Sequence, residues 1–330
     1  MQKKEHFSSR IKTAATFVKR GFRVVSIPRD KNHPIIKARP KLPLAGRVQR
    51  PKCTLRVDRV VLTSGVDIRF PLSVLTGFST VSDHALKNVN RPRFALPYGR
   101  VREMVNAHSR TKLFINYNPR FRQLPGLRVT AVPEDASGMQ RNELEEIVSA
   151  FAPDEFPEGG LRVVEVAVDF IGGAMTAELV RRHAKFGKCR ARPNVRFPHA
   201  VWYGVPSSDH FLRCYPKPAV GGFRVELQCN RQFLLKHQVR SAADIVRLPP
   251  LLIGLLRFCR MDWVRLSACV RRRPRYAEQI LQKARERENY LNELLRFLRV
   301  VKIWNPERFL IPLPLNEEME RAVGRWATDW

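Results

Sequence analysis

The chain has 330 residues, with 60 Lys and Arg against 30 Asp and Glu, which gives a formal net charge of +30. A hydrophobic fraction of 44% excludes a wholly disordered chain. So large a positive charge repels itself and indicates a protein that works beside a polyanion. Nucleic acid is the first candidate partner, an anionic membrane surface is weaker, and acidic proteins come third. Because no basic helix has a clean apolar face at either terminus and no apolar run reaches the length of a membrane span, we expect no membrane partner.

The six cysteines are scattered, at positions 53, 189, 214, 229, 259 and 269. They form no C-x-x-C pair and show no spacing to histidine that is typical of a zinc site. Free cysteines of this kind behave as small hydrophobic residues. We therefore expect reduced thiols and a reducing compartment, the cytoplasm.

Residues 1–53 are predicted to form a basic N-terminal arm. Up to residue 52 this segment holds fifteen Lys and Arg against only Glu5 and Asp30. Five prolines interrupt any long element, so the pattern leaves room for one short helix over 9–20. We interpret the segment as an arm that contacts phosphates, and a merely solvated tail is the alternative.

Between residues 54 and 240, short alternating apolar runs and turns predict an α+β domain on a mainly antiparallel sheet with packed helices. The predicted strands are 54–62, 66–75, 111–119, 127–133, 159–173, 198–205, 210–217 and 223–229. The predicted helices are 137–153 and 175–186, and Thr176 is the expected cap of the second.

Residues 241–330 are predicted to form a helical C-terminal region. The stretch 241–274 indicates a helix, a break and a second helix, with Ser241 and Asp244 as cap residues. The strongest helix prediction covers 275–304, where apolar residues recur at spacings of three, four and seven. The last 22 residues predict an extended piece followed by a short helix.

Three predicted strands carry polar groups on one face, because alternate side chains of a strand point the same way. These groups are Glu165 and Asp169 on the first strand, Arg213, Tyr215 and Lys217 on the second, and Arg224, Glu226 and Gln228 on the third. If the strands are neighbours, the carboxylates could hold a divalent cation, and their oxygen ligands suit Mg²⁺ or Mn²⁺.

Such an arrangement has the parts needed for attack on a phosphate. A metal would polarise a phosphoryl oxygen, while Arg213 and Lys217 would balance the developing charge. A phenol with a pKa of about 10 is a poor nucleophile, and we expect the adjacent cations and the metal to lower the pKa of Tyr215. The hydroxyl could then attack a DNA phosphate and hold the strand end covalently. The alternative is an ordinary sheet with cross-strand ion pairs and a packed tyrosine.

Four short motifs resemble the replication initiation proteins of rolling-circle plasmids and filamentous phages. In chain order they are "LFINYNPR", "LRVVEVAVDF", "VWYGVPSSDHFLRCYPK" and "FRVELQ", and they cover roughly residues 112–236. The resemblance implies nicking of single-stranded or supercoiled origin DNA, a phosphotyrosine link and a free 3′-hydroxyl. It implies Tyr215 as the nucleophile and Asp169 and Glu226 as metal-binding acids. It further implies a bacterial host cell, with its helicase and polymerase as partners.

Two questions stay open at the level of sequence. Pro216 stands where a small polar residue is usual in the family, so Tyr203 and Tyr276 remain alternative nucleophiles. A different function is a non-catalytic basic DNA- or RNA-binding protein, with "LFINYNPRF" and "VWYG" as aromatic stacking surfaces. A protein that packages nucleic acid is a third alternative.

We predict that affinity for nucleic acid falls steeply as salt is raised, because Lys and Arg contacts to phosphates release counterions. Deletion of residues 1–52 should flatten the slope of log affinity against log salt concentration, measured by fluorescence anisotropy. An unchanged slope would mean that the N-terminal segment makes no phosphate contacts.

Overall fold

The computed structural model describes residues 51–65, 67–75, 77–86, 97–134, 138–151, 160–172, 175–187, 191–193, 199–218, 221–272 and 276–330. The strands are β1 Lys52–Ser64, β2 Phe78–Ala85, β3 Tyr98–Asn106, β4 Lys112–Pro119, β5 Leu127–Val132, β6 Gly160–Ile171, β7 Ala184–Phe186, β8 Ala191–Pro193, β9 Val201–Tyr203, β10 His210–Lys217, β11 Gly222–Asn230, β12 Leu256–Met261 and β13 Leu310–Pro312. The helices are α1 Arg69–Val74, α2 Arg141–Phe151, α3 Ala177–His183, α4 Arg231–Lys236, α5 Leu248–Leu255, α6 Trp263–Arg271, α7 Ala277–Arg285, α8 Leu291–Val300 and α9 Leu315–Asp329. The predicted helix over 9–20 and nearly all of the predicted arm lie outside these residues.

Ten strands form one large sheet in the order β2-β3-β4-β5-β1-β6-β11-β10-β9-β8. Every pair of neighbours in it is antiparallel. A small sheet, β13-β12-β7, belongs to the C-terminal part of the chain. The predicted α+β class with a mainly antiparallel sheet and a helical C-terminus is confirmed.

One face of the large sheet is apolar and carries the main core. On β6 this face consists of Val164, Val166, Val168 and Phe170, as the alternation predicts, and all four are fully buried. They belong to the same core as Leu144 of α2, a helix that meets both β1 and β6. The opposite side chains of the central strands are therefore available for a polar face.

The C-terminal part contributes to this core and also builds a second one. Phe258 of β12 is fully buried and packs edge-on against Phe170, with ring centroids 6.0 Å apart. Helix α9 returns to pack on β1. Between these elements, α6, α7 and α8 enclose a separate apolar cluster that includes Leu266, Leu281 and Leu294. The chain from β12 to β13 is thus a three-helix unit, hereafter the C-terminal three-helix unit, closed by pairing of its two flanking strands.

The prediction of a strand over 66–75 is wrong, because this segment contains helix α1. The Asp67 carboxylate accepts a hydrogen bond from the backbone N–H of Arg69 at 2.9 Å, which satisfies a donor at the helix start. Pro71 lies in the first turn, where a missing N–H costs little. These local contacts outweigh the weak alternation of apolar residues.

Two helical predictions are wrong in part. The prediction over 241–274 fails at 256–261, and the prediction over 175–186 fails at 184–186. Both segments are strands, and they pair with each other as β12 and β7. Strands this short gain their stability from partners that are distant in sequence, so local periodicity does not reveal them. Thr176 does cap α3 as predicted, since its hydroxyl oxygen accepts from Leu179 N at 3.1 Å.

The single helix predicted over 275–304 is two helices, α7 and α8, separated by a turn at 286–289. No apolar residue lies between Ala284 and Tyr290, so the straight helix would have no side chain to bury there. The turn lets the buried leucines of α8 pack with Leu281 in one cluster. The predicted extended piece and last helix are confirmed as β13 and α9.

Two further expectations concern membranes and thiols. Among the described helices, none is long and apolar enough to cross a membrane.

Cys53, Cys214, Cys229 and Cys259 are buried free thiols, as predicted for reduced cysteines, and Cys269 is half-buried. Cys189 lies outside the described residues.

We predict that Phe258→Ala lowers the free energy of unfolding by about 3–5 kcal/mol, because it leaves a cavity beside Phe170 where the C-terminal part meets the sheet. Urea denaturation followed by circular dichroism measures the change. Val264→Ala, at a side chain that is 82% exposed, is the matched control and should stay within about 0.5 kcal/mol of wild type. Equal effects of the two substitutions would contradict this packing.

Candidate functional site

The three predicted polar strands are neighbours in the sheet, in the order β6, β11, β10. Arg224 stands opposite Asp169, and on its other side it stands opposite Tyr215. Glu226 stands opposite Arg213. Since directly opposed residues of antiparallel strands are within side-chain reach, the register brings the predicted residues onto one surface.

A β-bulge in β1 adds Asp58 to this surface. The pairing of β1 with β6 shifts between Val57 and Arg59, so that one extra residue is accommodated. The bulge is braced by a hydrogen bond from Met139 N to Val57 O at 3.2 Å. Gly138 passes so close that a Cβ there would lie 2.6 Å from the Cβ of Arg56, which explains a glycine at this point, with φ of +80°.

Arg224 is the most deeply buried cation of the site, at 1% exposure. Its Nε and Nη2 donate to the two carboxylate oxygens of Asp169, at 2.7 and 3.0 Å. Its Nη1 donates to Asp58 at 2.5 Å. Asp169 also contacts Arg56. Both carboxylates are therefore held by guanidinium groups.

Arg213 joins the two glutamates. Its Nη2 lies 2.8 Å from Glu165 Oε1 and 2.6 Å from Glu226 Oε2. Arg59 adds a second contact to Glu165 at 2.5 Å. The glutamates are 2% and 1% exposed, whereas Arg213 and Arg59 keep about a third of their side chains in solvent. These two arginines are thus the solvent-facing side of the network.

The cluster, which we call the arginine–carboxylate network, is balanced in formal charge. It consists of Arg56, Arg59, Arg213 and Arg224 with Asp58, Glu165, Asp169 and Glu226. One carboxyl oxygen each from Asp58, Glu165 and Glu226 lies within 4.8 Å of the others, close enough to share one cation. The donors suit a hard cation, but each of the three also contacts an arginine, so a metal would have to compete with those contacts.

The Tyr215 hydroxyl donates a hydrogen bond to Glu226 Oε1. Burial, followed by the charge and hydrogen bond of Glu226, raises the pKa of Tyr215 well above its usual value, although Arg224 opposes the shift. The neighbouring cations therefore do not lower the pKa of Tyr215 on balance, contrary to the expectation from sequence, and the effect expected of a bound metal stays a prediction. The cations are already paired with carboxylates, and the group nearest to the hydroxyl is an anion.

Burial raises the pKa of Glu226 to about 7, against the lowering influence of Arg213 and of the Tyr215 hydrogen bond. Asp58 and Glu165 add to the upward shift. A carboxylate whose pKa lies near neutrality is a stronger base than an ordinary glutamate. The Tyr215 hydroxyl is thus hydrogen-bonded to a buried carboxylate whose pKa lies near neutrality.

The alternative tyrosines stand elsewhere. Tyr203 is fully buried in the core, and its hydroxyl donates to Val180 O at 3.3 Å. Tyr276 is 64% exposed at the start of α7, in the C-terminal three-helix unit. Lys217, at the end of β10, is half-buried. Strand β10 continues through Pro216 because β9 pairs with it only as far as Cys214, which frees one side of the strand.

Sequence reasoning missed three residues of the network, Arg56, Asp58 and Arg59. They lie in the segment "TLRVDRVVL", which was recognised as a strand. The charged residues inside this strand could have indicated a buried ion-pair network, since a central strand buries charges only in pairs. The position of β1 beside β6 and the bulge that turns Asp58 inward are tertiary features.

A second tyrosine of the same sheet has a similar environment. The Tyr117 hydroxyl donates to Asp83 at 2.6 Å, and Arg100 and Arg102 contact the same carboxylate at 3.0 and 2.5 Å. Burial opposes these hydrogen bonds, but together they lower the pKa of Asp83 to about 2. The Tyr117 cluster has one carboxylate, whereas the Tyr215 site has several. Tyr117 can therefore serve as the control when the Tyr215 hydroxyl is removed.

Comparison of the chain with protein-family models, with curated proteins and with solved structures gives no match. The argument for function therefore depends on the residues of the site.

We predict a pH dependence of stability from Glu226. The pKa of Glu226 is higher in the folded than in the unfolded protein, so folding favours the protonated carboxyl. This stabilisation is complete at pH values below the pKa of the unfolded protein. It is lost as the pH rises through about 7, the pKa of Glu226 in the folded protein. Relative to Glu226→Gln, which does not titrate, the wild type should lose about 1–3 kcal/mol of unfolding free energy between pH 5 and pH 8. Urea titrations at several pH values measure it, and a constant difference would contradict the shift.

Proposed function

We propose that this protein nicks and rejoins DNA through Tyr215 and thereby starts rolling-circle replication. The observation that carries the proposal is the hydrogen bond from the Tyr215 hydroxyl to Glu226, a buried carboxylate with a raised pKa beside Arg213. A nucleophile next to its base, with a cation where charge develops, is the constellation that phosphoryl transfer requires. The resemblance of residues 112–236 to rolling-circle initiators supports the same reading.

In the proposed reaction Tyr215 transfers its proton to Glu226 as its oxygen attacks a DNA phosphate. The bond between the tyrosine oxygen and phosphorus forms, the bond to the 3′ oxygen breaks, and solvent protonates the departing oxygen. The products are a phosphotyrosine and a free 3′-hydroxyl. The reverse reaction, with Glu226 returning the proton, rejoins the strand.

Arg213 and Lys217 flank the nucleophile on β10 and would contact the attacked phosphate. Arg213 is the better placed, because it is partly exposed and already lies within 2.6 Å of Glu226. A phosphate that binds it would compete with Glu165 and Glu226 for the same guanidinium. Asp169 has a supporting role in this proposal, since it holds Arg224 in position behind the site.

A divalent cation, Mg²⁺ or Mn²⁺, would be held by Asp58, Glu165 and Glu226 and would polarise the phosphoryl oxygen. This set shares the two glutamates with the metal site predicted from sequence and has Asp58 in the place of Asp169. The assignment of Asp169 from sequence stays a prediction. Both of its oxygens are engaged by arginines, and those of Glu226 are likewise engaged, by Tyr215 and Arg213, so a metal would have to displace contacts at either residue.

The second candidate function is a basic nucleic-acid-binding protein without catalysis. The observation that favours it is the charge balance of the arginine–carboxylate network, in which every carboxylate already has an arginine partner. Buried networks of this kind also occur as purely structural features. The two candidates differ in whether DNA becomes covalently attached.

We predict that Tyr215→Phe abolishes nicking and covalent attachment while changing DNA affinity by less than about threefold, since only one hydroxyl is lost and every arginine remains. Supercoiled DNA is incubated with the protein and Mn²⁺; relaxed circles are counted on gels, and protein–DNA adducts are detected after denaturation. Glu226→Gln should slow nicking by about 10²–10⁴-fold, the usual contribution of a general base.

Tyr117→Phe is the matched control, because it removes a hydroxyl that is also bonded to a carboxylate among arginines on the same sheet. It should nick and link DNA at the wild-type rate. If covalent attachment of DNA persists in Tyr215→Phe but disappears in Tyr117→Phe, the nucleophile is Tyr117. No adduct with wild-type protein would leave the non-catalytic reading in its place.

A further inference from the structure

An exposed tryptophan stands at the tip of the C-terminal three-helix unit. Trp304 is 76% exposed, in the turn that follows α8, and Val300 in the last turn of that helix is 73% exposed. Together Val300 and Trp304 leave a large apolar side chain and an aromatic ring in water close together in sequence, and an apolar patch of this kind marks a contact surface. The tyrosine site uses neither residue.

The backbone holds this tryptophan in place. Lys302 and Asn305, on either side, have φ of +60° and +48°, in the left-handed region that non-glycine residues adopt only at a cost. The Ile303 N–H donates to Leu298 O at 2.8 Å and closes the end of the helix. Ile303 and Pro306 are buried, so Trp304 projects from a loop that is anchored on both sides. The strained turn therefore holds the tryptophan ring in a solvent-exposed position before any partner binds.

Cations outnumber acids in the sequence around Trp304. Between Leu294 and Pro306 there are Arg296, Arg299 and Lys302 and no acid, although Arg299 is paired with Glu307 just beyond this stretch. Arg296, Phe297 and Val300 also line a shallow cleft of about 240 Å³, shared with Arg287 and Glu293. Arg287 lies over the ring of Phe297, 4.6 Å from its centroid. An exposed aromatic ring two residues from Lys302, next in the chain to a helix end that carries Arg296 in its cleft, suits a ligand of phosphates and bases.

We propose that Trp304, Arg296 of α8 and Lys302 of the following turn bind single-stranded nucleic acid, with a base stacked on the indole and the backbone along Arg296 and Lys302. Stacking on aromatic side chains is independent of base identity, and the positive charge tracks the phosphates. The proposal rests on the proposed function in that it takes DNA as the partner. A strand opened by nicking would supply this surface with its ligand.

The test is equilibrium binding of a labelled oligothymidylate by fluorescence anisotropy, with every protein carrying Tyr215→Phe so that covalent attachment does not contribute. Trp304→Leu keeps an apolar side chain but has no aromatic face, and it should weaken binding about 5- to 100-fold, the loss expected for one stacked base. Trp304→Phe should stay within about threefold of its parent. Arg296→Gln should reduce the salt slope by about 0.7.

Val264→Ala, at an exposed apolar side chain of α6 in the same unit, is the control and should bind like the parent. Unchanged affinity of Trp304→Leu would overturn the proposal, as would a dimer that this substitution dissociates while DNA binding persists, because the surface would then serve self-association. A binding defect of Trp304→Leu in a protein that never nicks DNA would instead leave this inference standing and remove the proposed function.

Discussion

The buried guanidinium of Arg224 is the interaction on which the polar face of the sheet depends. A charge at 1% exposure is tolerable only when it is paired and hydrogen-bonded, and Asp169 and Asp58 meet that condition. Loss of one partner from such a buried group costs about 3–5 kcal/mol, so the three residues constrain one another. Through them β11 is linked to β6 and to the bulge of β1. The register that sets the position of Glu226 is thereby secured.

The same pairing explains why the group nearest to the Tyr215 hydroxyl is an anion. The four arginines of the network are paired with its four carboxylates, and the Tyr215 hydroxyl donates to one of these carboxylates, Glu226. Burial raises the pKa of both groups, so the proton stays on the tyrosine. In the proposed reaction Arg213 would belong both to the network and to the phosphate contact, and binding of DNA would then be coupled to the ionisation of Glu226.

The elements that the sequence predicts correctly are those whose conformation is set by a long local pattern of side chains. Long strands such as β6 and β11 were predictable, because alternation over eight or more residues marks a face that must be buried. The helices α2 and α9 were predictable from their apolar spacing. The misassigned segments were α1, β7, β12 and the turn between α7 and α8. In each of these, a carboxylate bonded to the backbone at the helix start, a strand partner distant in sequence or a shared apolar cluster decided the conformation, and none of these is visible in local periodicity.

The sequence by itself determined the charge of the chain, the class of the fold and the polar faces that carry Tyr215, Arg213, Glu165 and Glu226. It did so because side-chain alternation within one strand is a local property. Only the tertiary structure decided that β1 lies beside β6, that a bulge adds Asp58, and that each carboxylate is paired with an arginine. The direction of the Tyr215 pKa shift followed from that pairing, since a pKa depends on the neighbours that folding assembles and on the water that it excludes.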